Sequence, residues 1–291
     1  MSKTKGKILI QLDSDVQASS FDRVVAVDAG VDEVFTYSGV ALDQVPSLVH
    51  GAIFTRGQKD LHCTAIFVGG NDVDVGEQVM ARVKSSFLGP LSVSIMLDAN
   101  GANTTAAAAV LVARRHLELG SATALVLAGT GPVGQRAARL LAGEGATVRL
   151  ASRSDRRAAY AAETINQAVG AEQVAPCTTS DDQSLHSALA GVQLVIAAGA
   201  AGVQLLTTSV LKAAPDVRVA IDLNAVPPLG IEPVTVTDKA ANWDSKLVYG
   251  AIGVGVTKMK IHKAAVASLF EVNNRVLDAE QIYELGKSLA D

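Results

Sequence analysis

The chain has 291 residues, enough for one large domain or two of ordinary size, and a globular chain of this length buries roughly 75% of the surface that its unfolded form exposes. Apolar residues make up 49% and charged residues 19%, which excludes a mainly disordered chain. Twenty-nine acids against 25 Lys and Arg give a formal charge of −4, the wrong sign for a generic affinity toward phosphate backbones, so no nucleic-acid partner is expected.

Two cysteines, Cys63 and Cys177, lack the spacing of a metal knuckle, and no metal site is expected. The basic N-terminus carries only the short apolar run Ile8-Leu9-Ile10, too brief for a signal peptide. The longest uncharged run, Gln183 to Leu211, is interrupted by Gly191, Gly199, Gly202 and a Thr-Thr-Ser cluster, so no membrane span is expected either. The predicted setting is the reduced cytoplasm.

Lys7 to Leu12 reads as a first strand, followed by the acidic loop Asp13-Ser14-Asp15. Further apolar runs at Arg23–Val27, Ala52–Phe54, Thr64–Val68 and Leu91–Leu97 read as strands, several ending in short polar or Gly-rich turns. The clearest helical pattern between them is Val73 to Phe87. Strand, loop and helix repeated in this way predict a mostly parallel sheet covered by helices, with ligands at the strands' carboxyl ends.

Asn103 is placed as the cap of a helix running from Thr104 to Leu119 and stopping near Gly120, which links two domains. Ala122–Ala128 is then a strand, Pro132–Ala142 a helix, Thr147–Ala151 a strand and Asp155–Val169 a helix. Later strands fall at Leu194–Ala198 and Val217–Leu223, and Asp278 with Gln281 forms a capping box for a last helix.

The sharpest local signal is Gly129-Thr130-Gly131-Pro132-Val133-Gly134, a GxGxxG between a strand and a helix. Its glycines suit a tight turn, close approach of a pyrophosphate, and helix–sheet contact, while free N–H groups at the helix start face phosphates. A turn required only for packing is the alternative. The next strand tip offers Ser152 and Arg153, with Arg156 or Arg157 one turn later, where NAD proteins place a carboxylate. These donors favour the 2′-phosphate of NADP, although Asp155 keeps NAD open. Ala198-Gly199 and a second glycine loop containing Ile252 and Gly253 are expected to complete the cofactor site.

No recognisable acid–base motif surrounds His50, His62, His116, His186 or His262, which suits a substrate whose oxidation releases hydride alone. A shikimate- or amino-acid-type dehydrogenase, or a non-catalytic NADPH sensor, are the competing readings.

The segments 19–30, 53–60, 64–77, 96–108, 127–146, 222–231, 249–264 and 277–287 together resemble the bacterial NAD(P)-dependent methylene-tetrahydromethanopterin dehydrogenases, closest to the NADP-dependent branch that also uses methylene-tetrahydrofolate. The resemblance implies an α/β subunit of two domains with an interdomain cleft: a pterin domain, 1–118 plus 266–291, and a Rossmann-type NADP domain, 119–265. It implies oxidation of a methylene- to a methenyl-tetrahydropterin, in a cytoplasmic homo-oligomer that is a trimer in the NADP branch. Phe21 and Asp22 match the family's pair in the first loop, and Lys258 its lysine, with Lys260 competing if that segment is extended. Asp98, Asn100 and Thr104 are weaker pterin candidates, and Arg56 and Lys59 are candidate contacts for an acidic substrate tail. The Tyr-x-x-x-Lys pattern of related folate dehydrogenase–cyclohydrolases is expected to be absent, with Ala41 in the fourth place after Tyr37 and the other tyrosines read as lacking the lysine too, so cyclohydrolase activity is not expected.

Overall fold

The computed structural model describes residues 5–289. Contacts divide the chain into two compact units, one ending at Thr104 and resuming at Met259, the other running from Thr105 to Lys258. The expected boundaries at 118/119 and 265/266 follow apparent segment ends; the division instead falls inside two helices.

The first unit opens with β1 (Ile8–Leu12), α1 (Ser20–Asp28), β2 (Glu33–Tyr37) and α2 (Val45–Phe54). It continues through β3 (Thr64–Val68), α3 (Val73–Ser85), β4 (Ser94–Leu97) and the start of α4 (Ala102–Arg114). Its five-stranded sheet has the order β12-β4-β3-β1-β2, where β12 is Val276–Leu277, near the C-terminus. Every adjacent pair is parallel. The interior strands β3 and β4 are buried along their whole length, as strands covered on both faces must be, whereas edge strand β2 alternates.

Two expected strands are helices. Arg23–Val27 lies in α1, which Ser19 caps by accepting from the Asp22 N–H at 3.3 Å, and Ala52–Phe54 closes α2, which has Pro46 in its first turn. Short apolar runs do not by themselves distinguish a strand from the buried stripe of a helix. Asn103 is not a cap either. Its amide donates to Leu97 O at 2.6 Å and Asp278 Oδ1 at 3.0 Å, while Asp98 accepts from the Thr104 N–H in the first turn of α4.

The second unit contains β5 (Thr123–Leu127), α5 (Pro132–Gly143), β6 (Thr147–Ser152), α6 (Asp155–Val169), β7 (Val174–Thr178) and α7 (Asp182–Leu189). There follow β8 (Leu194–Ala197), α8 (Thr208–Lys212), β9 (Val219–Asp222), β10 (Lys239–Trp243), β11 (Lys246–Tyr249) and α9 (Ala251–Ser268). After β12, α10 (Ala279–Ser288) closes the first unit, with the expected Asp278–Gln281 capping box. The seven strands lie in the order β10-β11-β9-β8-β5-β6-β7, and all pair in parallel except β10 with β11. Buried side chains of β5, α7, β8 and β9 form one continuous core.

In each unit the strand order reverses: between β1 and β3 in the first, and between β5 and β8 in the second. A parallel sheet binds ligands beside such a reversal, at the strands' carboxyl ends. Among the described residues no helix is long and apolar enough to cross a membrane.

Candidate active site

The GxGxxG turn occupies the reversal of the second unit. A Cβ on Gly134 would stand 2.7 Å from Gly129 Cα, and one on Gly129 would stand 2.6 Å from Leu150 Cδ1, so these two glycines let helix, turn and sheet close together. Gly131 differs: the nearest atoms to its Cβ position are the Ala128 and Ala198 carbonyls, at 3.6 and 3.9 Å, leaving one side open. Gly131 starts α5 without a side-chain cap and Pro132 follows it, so the first-turn N–H groups of Val133 and Gly134 are placed for an anion. The Gln135 amide donates to Thr130 O at 2.8 Å and stiffens the turn.

Beside this turn lies a cavity of about 370 Å³, lined by Thr130, Gly131, Ser152, Arg153, Arg157, Thr179 and the segment 198–200, together with 203–205. The expected pair Ala198 and Gly199 therefore joins the phosphate turn and the β6 tip in one space. Arg157, rather than Arg156, completes its basic edge; Arg156 borders a neighbouring hollow with Gln135 and Tyr160. The Asp155 carboxylate is engaged by the Thr178 hydroxyl across the strand tips. An open-sided Gly131 and a strand tip carrying Ser and two Arg fit a phosphorylated dinucleotide.

The second glycine segment is not a loop. Ile252 and Gly253 lie in the first turn of α9 and do not line the cavity. Cβ atoms on Gly250 and Gly253 would overlap the Thr235 and Asp238 carbonyls, so close backbone packing is what these glycines serve. Lys258 and Lys260 also lie on α9, where two residues apart means nearly opposite faces; Lys258 is half-buried and Lys260 exposed.

In the first unit, the reversal between β1 and β3 brings together Asp13, Gly69 and Asp22. The Cβ position of Gly69 lies 3.3 Å from Asp13 Oδ2 and 3.6 Å from Asp22 Oδ2. Asp13 is fully buried and accepts from the Asp15 and Ser19 N–H groups at 2.9 and 3.1 Å, which fixes the start of α1. Phe21, half exposed, projects from that helix with its ring centroid 6.2 Å from that of His262.

Asp98 and Thr104 are fully buried and satisfy each other: the Thr104 hydroxyl donates to Asp98 Oδ2 at 2.6 Å. Both Asp98 oxygens are thus engaged with Thr104 at the start of α4. Asn100 is exposed, in the left-handed region at φ +53°. Arg56 donates to Cys63 O at 2.6 Å and Gly6 O at 2.9 Å, at the amino ends of β3 and β1, and Lys59 is exposed in the adjacent turn. These two belong to the opposite end of the sheet from the Asp13–Asp22 group.

Residues 20–100 match the family model described as methylene-tetrahydromethanopterin dehydrogenase, N-terminal. The chain is 45% identical over 286 residues, 98% of its length and 99% of the relative's, to the bifunctional protein MdtA of Methylorubrum extorquens. It is 31% identical, over 94% of its length and 95% of the relative's, to the NAD(P)-dependent methylenetetrahydromethanopterin dehydrogenase of the same organism. The chain belongs to the methylenetetrahydromethanopterin dehydrogenase family. Among solved structures, quinate dehydrogenase from Corynebacterium glutamicum in complex with NAD aligns over 97% of the chain and 99% of its own, with TM-score 0.53 and 14% identity, a likeness of fold alone.

Within this member of the family, sequence reasoning missed His262. It is buried, its Nδ1 lies 3.8 Å from Asp98 Oδ2, and its ring stacks on Phe67 with centroids 5.8 Å apart. A histidine on α9 and an aspartate after β4, 164 positions apart, carry no local signal in the sequence, and only the fold brings them together. His116 lies just beyond α4, with Nε2 2.7 Å from the Tyr249 hydroxyl; burial, and then the Arg115 charge, lowers its pKa. Cys177 is half-buried and its thiol is pushed up to about 11 by burial. One Tyr-x-x-x-Lys spacing does occur, Tyr283 and Lys287 in α10, which the Tyr37 comparison passes over. There the lysine lies 5.1 Å over the tyrosine ring and pairs with Glu284 at 2.5 Å.

Proposed function

We propose that this chain oxidises 5,10-methylene-tetrahydromethanopterin, and its tetrahydrofolate counterpart, to the methenyl form, with NADP+ as hydride acceptor. The observation that carries this reading is similarity along nearly the whole chain, at 45% and 31% identity, to two M. extorquens relatives, combined with a β6 tip and first turn of α6 that offer Ser152, Arg153 and Arg157 to a phosphate. These residues would hold NADP+, whose nicotinamide ring would supply the hydride acceptor.

The chain's own residues divide the remaining work. Val133 and Gly134 present main-chain N–H groups to the pyrophosphate, which the missing side chain of Gly131 lets approach, while Arg153 and Arg157 hold the 2′-phosphate. Phe21 and Asp22 serve the pterin, the ring by stacking and the carboxylate by accepting from pterin N–H groups, and Lys258 orients the substrate. The nitrogens flanking the methylene carbon share the positive charge of the product, so no base need take a proton from that carbon. Catalysis then rests on alignment and exclusion of water. We read the enzyme as a cytoplasmic homo-oligomer.

The test is a spectrophotometric matrix of both methylene-pterins with NAD+ and NADP+. Turnover of either pterin with at least tenfold higher kcat/KM for NADP+ is expected. Equal efficiency with the two cofactors defeats the phosphate assignment, and absence of turnover with both pterins defeats the substrate assignment.

A further inference from the structure

The wall of the dinucleotide cavity beyond β8 has little regular structure of its own. Residues 198–206 follow the strand as turns and extended backbone, yet six of them line the cavity. What holds them is a second loop, 222–231, at the carboxyl end of β9. The Gly202 N–H donates to Val226 O at 3.2 Å, and the N–H groups of Leu205 and Leu206 donate to Gly230 O at 2.8 and 2.9 Å. Leu206 also forms an isolated parallel bridge with Ile231.

That second loop is in turn closed by one carboxylate. Asp222 Oδ1 accepts from the Asn224 N–H at 3.0 Å, and Oδ2 accepts from the Ile231 N–H at 2.9 Å, joining the two ends of the loop. Asn224 continues the latch inward, accepting from the Val226 N–H at 2.9 Å and donating to Pro228 O at 3.1 Å. Gly230 lies so close that a Cβ there would meet Asp222 Oδ1 at 2.7 Å. Asp222 is wholly buried, and burial pushes its carboxyl pKa up against the pull of these N–H donors. A buried carboxylate is retained at a cost that its hydrogen bonds must offset.

The position of this latch in the sheet gives it a function. The β6 tip with Ser152 and Arg153 lies on one side of β5, and β8 and β9 lie on the other. A dinucleotide whose pyrophosphate sits on the turn after β5 places its adenosine half toward β6 and its nicotinamide half toward β8. We infer that Asp222 is a positioning residue for the nicotinamide half: it locks loop 222–231, which sets the 198–206 wall, and it has no part in holding the adenosine 2′-phosphate. This inference rests on the NADP reading above.

Calorimetric titration of wild type, Asp222→Asn and Asp222→Ala with NADP+ and with adenosine 2′,5′-bisphosphate separates the two halves. Asparagine keeps one acceptor and alanine neither, so NADP+ should weaken about tenfold in the first variant and further in the second. The bisphosphate should stay within twofold of wild type in both. Equal weakening of the two ligands, or no change in either, overturns the assignment. Should the Asp222 variants fail to fold, Asn224→Ala cuts the same latch and must show the same selective loss, in smaller degree. A wild type that binds neither ligand instead removes the NADP reading itself.

Discussion

At the scale of single residues, the proposed preference for NADP+ rests on two guanidinium groups that line the cavity. Arg153 follows the β6 tip directly, and Arg157 enters the cavity because Ser154 caps α6, accepting from the Arg157 N–H at 3.5 Å and fixing the first turn. A charge-assisted hydrogen bond contributes about 1.5–3 kcal/mol, roughly tenfold or more in affinity. Arg157→Ala should therefore raise the KM for NADP+ at least tenfold and leave the KM for NAD+ within twofold, whereas Arg156→Ala should change both by less than twofold. Steady-state kinetics with the two cofactors decide it, and equal effects of the two substitutions would reject the assignment. The basic tip was legible in the sequence because Ser152 and Arg153 replace an expected acid. The choice between Arg156 and Arg157 was not, since it depends on the register of the first turn of α6. The engagement of Asp155 by Thr178 was hidden for another reason: the first residue of α6 and the last of β7 stand 23 positions apart.

At the scale of elements, most parallel strands announce themselves as continuous apolar runs, and the phosphate turn as spaced glycines between a strand and a helix. Three of the errors share one cause. Arg23–Val27, Ala52–Phe54 and, after Gly250, the segment 251–255 are helical, and each is too short or too rich in glycine for periodicity to decide. The last error matters for chemistry. In an extended segment Lys258 and Lys260 share a face, but on α9 they are about 200° apart around the axis. They cannot both serve one ligand. Lys258→Ala should lower kcat at least a hundredfold while the Kd for NADPH, read by fluorescence, changes less than threefold; Lys260→Ala should leave kcat within twofold of wild type. The reverse pattern would put Lys260 in the active centre and turn the working face of α9 to the other side.

At the scale of the whole molecule, the chain crosses between its two units inside helices, not in loops: the division falls at Thr104/Thr105 in α4 and at Lys258/Met259 in α9. Each of these two helices is a single element that contributes residues to both units. Melting either unit therefore frays a helix that belongs partly to its neighbour, and the two should unfold in one cooperative step. Ligand binding then stabilises the entire chain. At a free NADP+ concentration a hundred times Kd, mass action adds about 2.7 kcal/mol to stability, although the phosphate turn and basic strand tip proposed to hold it belong to the 105–258 unit alone. For a chain of this length that corresponds to a rise of several degrees in Tm. Differential scanning calorimetry should show a single transition that moves upward as a whole with NADP+, and by less with NAD+ at the same concentration. Two resolved transitions, of which only one shifts, would mean that α4 and α9 break at the division and that the units are thermodynamically separate.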